Sequence, residues 1–242
     1  MSEIICGKNN VLEALKSGRE INRVLLAQGL DYGFVSGIKQ LCRDNGVVCM
    51  DVPKQKLEKL AGADNRGVVA ELAAVSYAEL EDILALAAER GEQPFVILLD
   101  DVEDPHNLGA VIRTALCAGA HGVVIPKRRA AALNQTVSRV SSGAVEYLPV
   151  ARVANLSQTV EKLKKAGVWV AAADMLGKPL WQSDLSGAIA LVMGSEGKGI
   201  SPNLLSLCDF TVSLPMKGPL DSLNVSAAAA ILMYEVARTR SR

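Results

Sequence analysis

The sequence has no excess of charge. Its 26 Lys and Arg balance 26 Asp and Glu, giving a formal net charge of zero over 242 residues. That excludes the broad basic footprint of a chain built to coat nucleic acid, so any RNA contact must be local. Local patches do exist at Lys127-Arg128-Arg129 and at Arg238, Arg240 and Arg242, although a charge run also reads as a solvated face. Histidine is nearly absent. His106 and His121 are the only two, neither stands near a cysteine or carboxylate at ligand spacing, and no metal site is expected. The five cysteines are odd in number and form no CxxC, which argues against disulfide or zinc frameworks and fits a reducing cytosol. Cys117 falls in an apolar helical run and reads as core. No apolar run reaches membrane-spanning length. No basic segment followed by an apolar one marks a signal peptide at the N-terminus. The expected setting is therefore cytoplasmic, with no membrane partner.

Aromatics make up only 4% of the chain, yet half of the residues are hydrophobic. The core must then be built mainly from Val, Leu and Ala, which suits α/β layers. The length fits one large or two small domains.

Residues 1–76 read as a small α/β unit. Helices are predicted at 9–17, 34–45 and 53–60, and strands at 23–27, 47–50 and 67–73. Gly46 marks the end of the second helix. Gly7-Lys8-Asn9 and Asn65-Arg66-Gly67 flank these elements as polar turns that can touch a phosphate backbone or simply turn the chain. Residues 77–93 read as a helix followed by a linker. From residue 94 to 242, short continuous apolar runs at 95–99, 122–125, 168–172, 189–193 and 210–214 alternate with helical patterns at 108–118, 130–142, 156–166, 202–207 and from 227 onward. Continuous apolar runs are how parallel strands covered on both faces read. The second part is therefore a parallel-sheet α/β domain.

Three segments share a layout of apolar strand, polar glycine-containing loop and helix. Such loops gather at one edge of an open α/β sheet, where ligands bind. The first is 104–114. Its helix carries an apolar stripe of Leu108, Val111, Ile112, Ala115 and Leu116, and Arg113 falls roughly 130° from the centre of that stripe. Asn107 sits near the helix start, either as an N-cap or as a functional group. The second is 194–201, Gly-Ser-Glu-Gly-Lys-Gly-Ile-Ser. It matches neither a Walker A loop nor a dinucleotide fingerprint. Its glycines permit close approach to a ligand, and Glu196 disfavours a bound phosphate. The third is 214–226, with Ser222 or Asp221 expected as the N-cap of the final helix. Neither histidine has an evident triad partner, and no nucleophile elbow appears.

Taken together, these segments resemble the SpoU family of the SPOUT superfamily, the S-adenosylmethionine-dependent RNA 2′-O-ribose methyltransferases. The matching motifs are Asn107-x-Gly109-Ala110-x-x-Arg113-Thr114, Gly194-x-Glu196-Gly197-x-Gly199, and Ser222-Leu223-Asn224-Val225-Ser226 running into a helix with Tyr234-Glu235. They occur in order over residues 95–238. The first 76 residues are similar to the L30e-like RNA-binding domain of many members. The opening 6–15 is similar to the subgroup acting on guanosine of large-subunit rRNA. Where the family often has His-Gln-Gly, this chain has Asn65-Arg66-Gly67, which leaves open the RNA contact made there.

The resemblance implies a trefoil knot in the C-terminal domain, a rare topology that pattern reading alone does not suggest. It implies a homodimer through the methyltransferase domain, S-adenosyl-L-methionine as cofactor and 23S rRNA as partner. Gly194, Leu214 and Leu223 are the implied cofactor-binding positions. Arg113, Asn107, Glu196, Ser222 and Asn224 are the implied catalytic set. The family's proposed general base corresponds to Arg113, yet arginine hardly ever loses its proton in a protein. The reading is that Arg113 engages the phosphate beside the target ribose and stabilises the developing alkoxide, whether or not it takes the proton, with the other four residues holding Arg113 and the ribose. Two other readings belong beside this one: a tRNA 2′-O-methyltransferase, and a ribosome-assembly factor without catalysis. An intact Arg113, Asn107, Glu196 and Asn224 count against the last. A nucleotide-dependent oxidoreductase fails on the missing glycine fingerprint.

Overall fold

The computed structural model describes residues 3–241. They form two compact units. One comprises the described residues up to Ser76 together with Ala132–Thr136, and the other those of Tyr77–Ala131 and Val137–Arg242.

The first unit runs β1 (Ile4–Cys6), α1 (Lys8–Lys16), β2 (Ile21–Ala27), α2 (Tyr32–Asp44), β3 (Val48–Val52), α3 (Lys54–Ala61) and β4 (Val68–Leu72). Its four-stranded sheet has the order β1-β4-β2-β3. Strand β4 is antiparallel to both neighbours, whereas β2 and β3 are parallel. The apolar spacing of α1 and α2 puts Val11, Ala14, Leu15, Val35, Ile38 and Cys42 against Val24, Leu26, Val68 and Ala70 on one face. Leu57 of α3 packs with Leu25, Val52 and Val69 on the other. Asp31 starts α2 by accepting from Phe34 N at 3.1 Å. Three-residue β1 was not expected, because so short an edge strand carries no periodicity to read.

The rest of the chain runs α4 (Leu80–Glu89), β5 (Phe95–Leu99), α5 (Pro105–Cys117), β6 (Gly122–Pro126), α6 (Gln135–Val140, of which Val137–Val140 belong to the second unit), β7 (Val150–Val153), α7 (Leu156–Lys165), β8 (Trp169–Pro179), β9 (Ile189–Met193), α8 (Pro202–Leu207), β10 (Phe210–Ser213) and α9 (Val225–Arg240). The sheet order is β10-β8-β9-β5-β6-β7, with every pairing parallel. The continuous apolar runs therefore have the burial that parallel strands require, and all five positions of both β5 and β9 are buried. Segment 77–93 carries α4, whose Leu80 and Ile83 lie in this unit's core beside Val96, Val124 and Val160.

Four local expectations differ from the structure. The helix predicted over 130–142 shrinks to α6. Ala131 N donates to Val102 O at 2.9 Å, while Leu133 O accepts from Ala74 N and from buried Asn22 Nδ2, each at 3.0 Å. Backbone groups committed to distant partners cannot also close helical turns, so tertiary context overrides the propensity of an alanine-rich stretch. Strand β7 was not expected. Strand β8 runs well beyond residue 172. Cys117 is exposed, because it lies five residues, about 140° around the helix, from Ile112 of the buried stripe.

Candidate active site

The chain moves from β5 outward through β6 and β7, then returns to the opposite side of the sheet with β8, β9 and β10. The reversal falls between neighbours β5 and β9. At such a switch point the loops leaving the strand ends diverge and open a crevice. The segment after β5 carries Asn107, and the loop after β9 carries Glu196.

Helix α5 begins with Asp104, not Asn107, as its N-cap. The Asp104 carboxylate accepts from His106 N at 2.9 Å, and Pro105 fills the first helical position. Asn107 is thereby released from capping, and its Nδ2 donates to Glu196 Oε1 at 3.3 Å. The expected cap of the last helix is likewise displaced. Neither Ser222 nor Asp221 caps α9. Asn224 does, its Oδ1 accepting from Ser226 N at 3.0 Å and Ala227 N at 3.4 Å. Those backbone donors fix the orientation of the Asn224 amide, since its oxygen must face the helix end. Its Nδ2 then points the other way and donates to Asn107 Oδ1 at 2.9 Å and to Glu196 Oε1. Val225 N also donates to Glu196 Oε1, at 3.4 Å. Asn107, Glu196 and Asn224, from three separate motifs, form one hydrogen-bonded group.

Beside this group lies a cavity of about 480 Å³. Gly194, Leu214 and Leu223 all line it, as do Glu196 and Ser222. Gly194 is needed sterically, because a Cβ there would overlap the backbone of Gly199 and Ile200. That tight fold-back is held by Ser195 and Gly199, which exchange backbone hydrogen bonds of 3.2 and 2.9 Å. Apolar walls come from Met193, Val212, Val225 and Leu232. The charged side chains on the wall are the carboxylates Asp174, Glu196 and Asp221 and the ammonium of Lys198. That balance favours a ligand carrying positive charge over a nucleoside polyphosphate.

Sequence reasoning missed one wall. Strand β8 pairs with β10 through Ala172↔Thr211, then resumes at Lys178↔Val212, so five residues of β8 bulge out opposite no residue of β10. Ala173, Asp174 and Met175 of that bulge line the cavity. The available signal was Gly177 inside an extended stretch. A Cβ there would come within 2.7 Å of Val212 backbone atoms, and glycine in a strand often marks such a bulge.

Arg113 stands apart. It is exposed, as its angle on the helix predicted, and it does not line the cavity. It lies six residues beyond Asn107, about 9 Å further along α5 and about 120° around it. Its Nη1 donates to Ser142 Oγ at 3.0 Å. Within this chain Asn107, Glu196 and Asn224 bond one another, Ser222 lines the cavity, and Arg113 donates to Ser142. The tail arginines are also engaged. Arg238 forms a two-pronged pair with Glu235, and Arg240 donates to the carbonyls of Gln93, Pro94 and Gly187. Arg242 lies outside the described residues. His106 is exposed and uses its backbone N–H on Asp104. His121 is fully buried, with Phe95 N donating to its Nδ1 at 3.0 Å and Nε2 beside Glu92. Burial lowers its pKa below the ordinary value of 6.5, against the opposing pull of Glu92. No group of three or more His, Cys, Asp or Glu that could hold a metal occurs among the described residues, and no described helix is long and apolar enough to cross a membrane.

An all-parallel sheet with a cavity at the ends of β8, β9 and β10, polar residues at its rim and glycine-dependent walls has the features of an α/β site for a small organic ligand. Residues 94–234 match the SpoU rRNA methylase family and residues 4–78 match an RNA 2′-O ribose methyltransferase substrate-binding family. The chain belongs to the SpoU rRNA methylase family and is an RNA methyltransferase with the SPOUT fold. It is 45% identical over 240 residues to YacO of Bacillus subtilis, assigned to the TrmH family of tRNA/rRNA methyltransferases, covering 99% of this chain and 96% of that one. A Staphylococcus aureus protein of the same assignment is 41% identical, covering 98% and 96%. Among solved structures it is similar to the SpoU methyltransferase AviRb of Streptomyces viridochromogenes in complex with AdoMet, with a TM-score of 0.62, 26% identity and coverage of 98% and 90%. An AdoMet-bound rRNA methyltransferase of Sinorhizobium meliloti aligns with a TM-score of 0.59 at 27% identity, covering 99% and 87%.

Proposed function

We propose that this protein transfers a methyl group from S-adenosyl-L-methionine to the ribose 2′-hydroxyl of a guanosine in 23S rRNA, in the cytoplasm and as a homodimer. The observation that carries the reading is the hydrogen-bonded group of Asn107, Glu196 and Asn224 at the rim of the cavity that Gly194, Leu214 and Leu223 line. The cavity fits the cofactor in kind. Its volume lies within the range of small-molecule sites, its walls can sandwich an adenine, and backbone groups of the 194–199 loop can bond the ring edge. Asp174, Glu196 and Asp221 complement a cationic ligand.

When bound, the cofactor supplies a methyl group already activated on positively charged sulfur. The protein must orient a weak nucleophile and lower the cost of its lost proton. Asn107 and Asn224 present amides toward the ribose, fixed by their mutual bonds, and Ser222 adds a hydroxyl on the cavity side. Arg113 stabilises the developing alkoxide beside the neighbouring phosphate, because its planar donors suit both oxygens. On one chain Arg113 sits away from the cavity, and a second copy would supply it. Exposed Leu223, Ile231 and Tyr234 around α9 support such pairing. The trefoil knot belongs to the same reading. It is supported by α9 packing back across α5 and by the Asn224–Asn107 bond. The first 76 residues are read as an L30e-like RNA-binding domain on the strength of the substrate-binding match at 4–78.

The test uses methyl-labelled S-adenosylmethionine with unmethylated bacterial 23S rRNA, 16S rRNA and tRNA. Label in 23S rRNA at one alkali-resistant guanosine linkage is expected. Label in tRNA would keep the chemistry and overturn the substrate. No label and no cofactor binding would favour an assembly factor.

A further inference from the structure

Helix α6 ends in an unusual way. Gly143 N donates to Ser138 O at 3.0 Å and Ser142 N donates to Arg139 O at 3.1 Å. This pair of bonds is the helix-ending motif in which the first residue past the helix takes a left-handed conformation. Here that residue is Ser142, with φ of 53°. Glycine is the ordinary occupant of such a position, because any Cβ is disfavoured there. Nothing in the packing forces a serine, since Ser142 is exposed. Its hydroxyl does one visible thing: it accepts from Arg113 Nη1 at 3.0 Å.

The placement of that hydroxyl is built in. Gly109 and Arg113 are four residues apart and so share a face of α5. A Cβ on Gly109 would come within 2.8 Å of Val140 Cβ and 3.1 Å of Val137 O. The end of α6 therefore presses on α5 at Gly109, and one turn further along α5 the residue two past Val140 meets Arg113. Backbone strain kept at a solvent-exposed position, for the sake of one contact to a long mobile cation, is the kind of cost that function explains.

We propose that Ser142 is a positioning residue for methyl transfer, holding the Arg113 guanidinium in its working rotamer from a helix end where glycine would fold at least as well. This rests on the reading of Arg113 as the alkoxide-stabilising group. Ser142 touches neither cofactor nor ribose in this assignment. Its effect falls on turnover through Arg113, not on binding of either substrate.

The experiment compares S142G, S142N and R113A as full-length protein. The measurements are melting temperature, S-adenosylmethionine affinity by calorimetry, and kcat and KM on the labelled RNA substrate. S142G is expected to melt at or above the wild-type temperature and to bind cofactor normally, with KM for RNA little changed and kcat reduced about tenfold, as loss of one charge-assisted contact implies. S142N is expected to recover most of that loss, because asparagine tolerates the left-handed conformation and returns an acceptor oxygen. R113A should abolish turnover. If R113A is inactive while S142G keeps full kcat, the positioning role is wrong and the role of Arg113 stands. A loss in S142G that follows a falling melting temperature, or that S142N does not repair, also overturns it. Full turnover by R113A would overturn the underlying reading instead.

Discussion

Asn107 and Glu196 lie 89 residues apart in the chain and meet through Nδ2 and Oε1 at 3.3 Å. The contact exists because β5 and β9 are sheet neighbours, which sets the loops after them side by side. Asn224 closes the group, arriving from 117 residues beyond Asn107. Each of these amides and the carboxylate has its orientation set by the other two, or by the α9 end that Asn224 caps.

Coupling within this group is the first prediction. N107A, N224A and E196A are each expected to lower kcat by about tenfold or more, because on the proposed reading Asn107 and Asn224 orient the ribose and Glu196 fixes both amides. The N107A/N224A double variant should lose far less than the product of the two single losses, because residues in one network act as a unit. A cycle of kcat values measures this, and strictly multiplicative losses would show the three side chains working independently. Stability should respond separately. N224A also removes a helix cap and should cost about 1 kcal/mol in denaturant unfolding.

The second prediction concerns the cavity wall. Gly194→Ala puts a methyl group into the backbone of Gly199 and Ile200. The loop must open, at a cost of about 1–3 kcal/mol for an overpacked site. Titration calorimetry should show S-adenosylmethionine binding weakened or lost, with the far-ultraviolet spectrum unchanged. Wild-type affinity in this variant would mean that the 194–199 loop does not form the ligand wall.

The third concerns the C-terminal helix. Arg240 donates to Gln93 O and Pro94 O at 2.8 Å and to Gly187 O at 2.7 Å, and its guanidinium lies over the Phe95 ring. R240A should lower unfolding free energy by about 1–2 kcal/mol, since hydrogen bonds to a charged donor are lost, and of the three carbonyls only that of Pro94 is partly buried while those of Gln93 and Gly187 rehydrate. Urea titration checks this. An unchanged midpoint would mean that water replaces the guanidinium at no cost.

The fourth follows from His121. Burial is the larger influence and lowers its pKa below 6.5, while the adjacent Glu92 pulls upward. The folded state therefore prefers the neutral ring. Below pH 6.5 the unfolded chain takes up a proton that the folded chain resists, so stability falls as the pH drops from 6.5 toward the folded-state value. Above 6.5 both states are neutral and the contribution is fully present. Denaturant unfolding between pH 5 and 8 should show this acid-side decline. His121→Asn, which keeps an acceptor for Phe95 N, should flatten it.

Much of the second unit was legible beforehand because its central strands β5 and β9 are buried on both faces. Continuous apolar runs leave few alternatives, and the runs at 95–99, 189–193 and 210–214 became β5, β9 and β10 nearly unchanged. The exposure of Arg113 also followed from helix geometry alone. Other elements escaped for identifiable reasons. The alanine-rich stretch before α6 looks helical by propensity, yet its backbone is claimed by Val102, Ala74 and Asn22. Capping was misplaced twice, since Asp104 and Asn224 were each one of several polar candidates near a helix start, and only the backbone angles choose among them.

The layered α/β class, most of the succession of elements and the three motifs that mark the family are readable along the chain, because periodicity and local turn chemistry are properties of neighbouring residues. The tertiary structure decided the rest. It joined Asn107, Glu196 and Asn224, bulged β8 outward to complete the cavity, and set Arg113 against Ser142. Those outcomes depend on strand order and on how α6 presses against α5 at Gly109. Both are relations between distant segments, set by how the core packs, and only the bulge leaves a local trace, at Gly177.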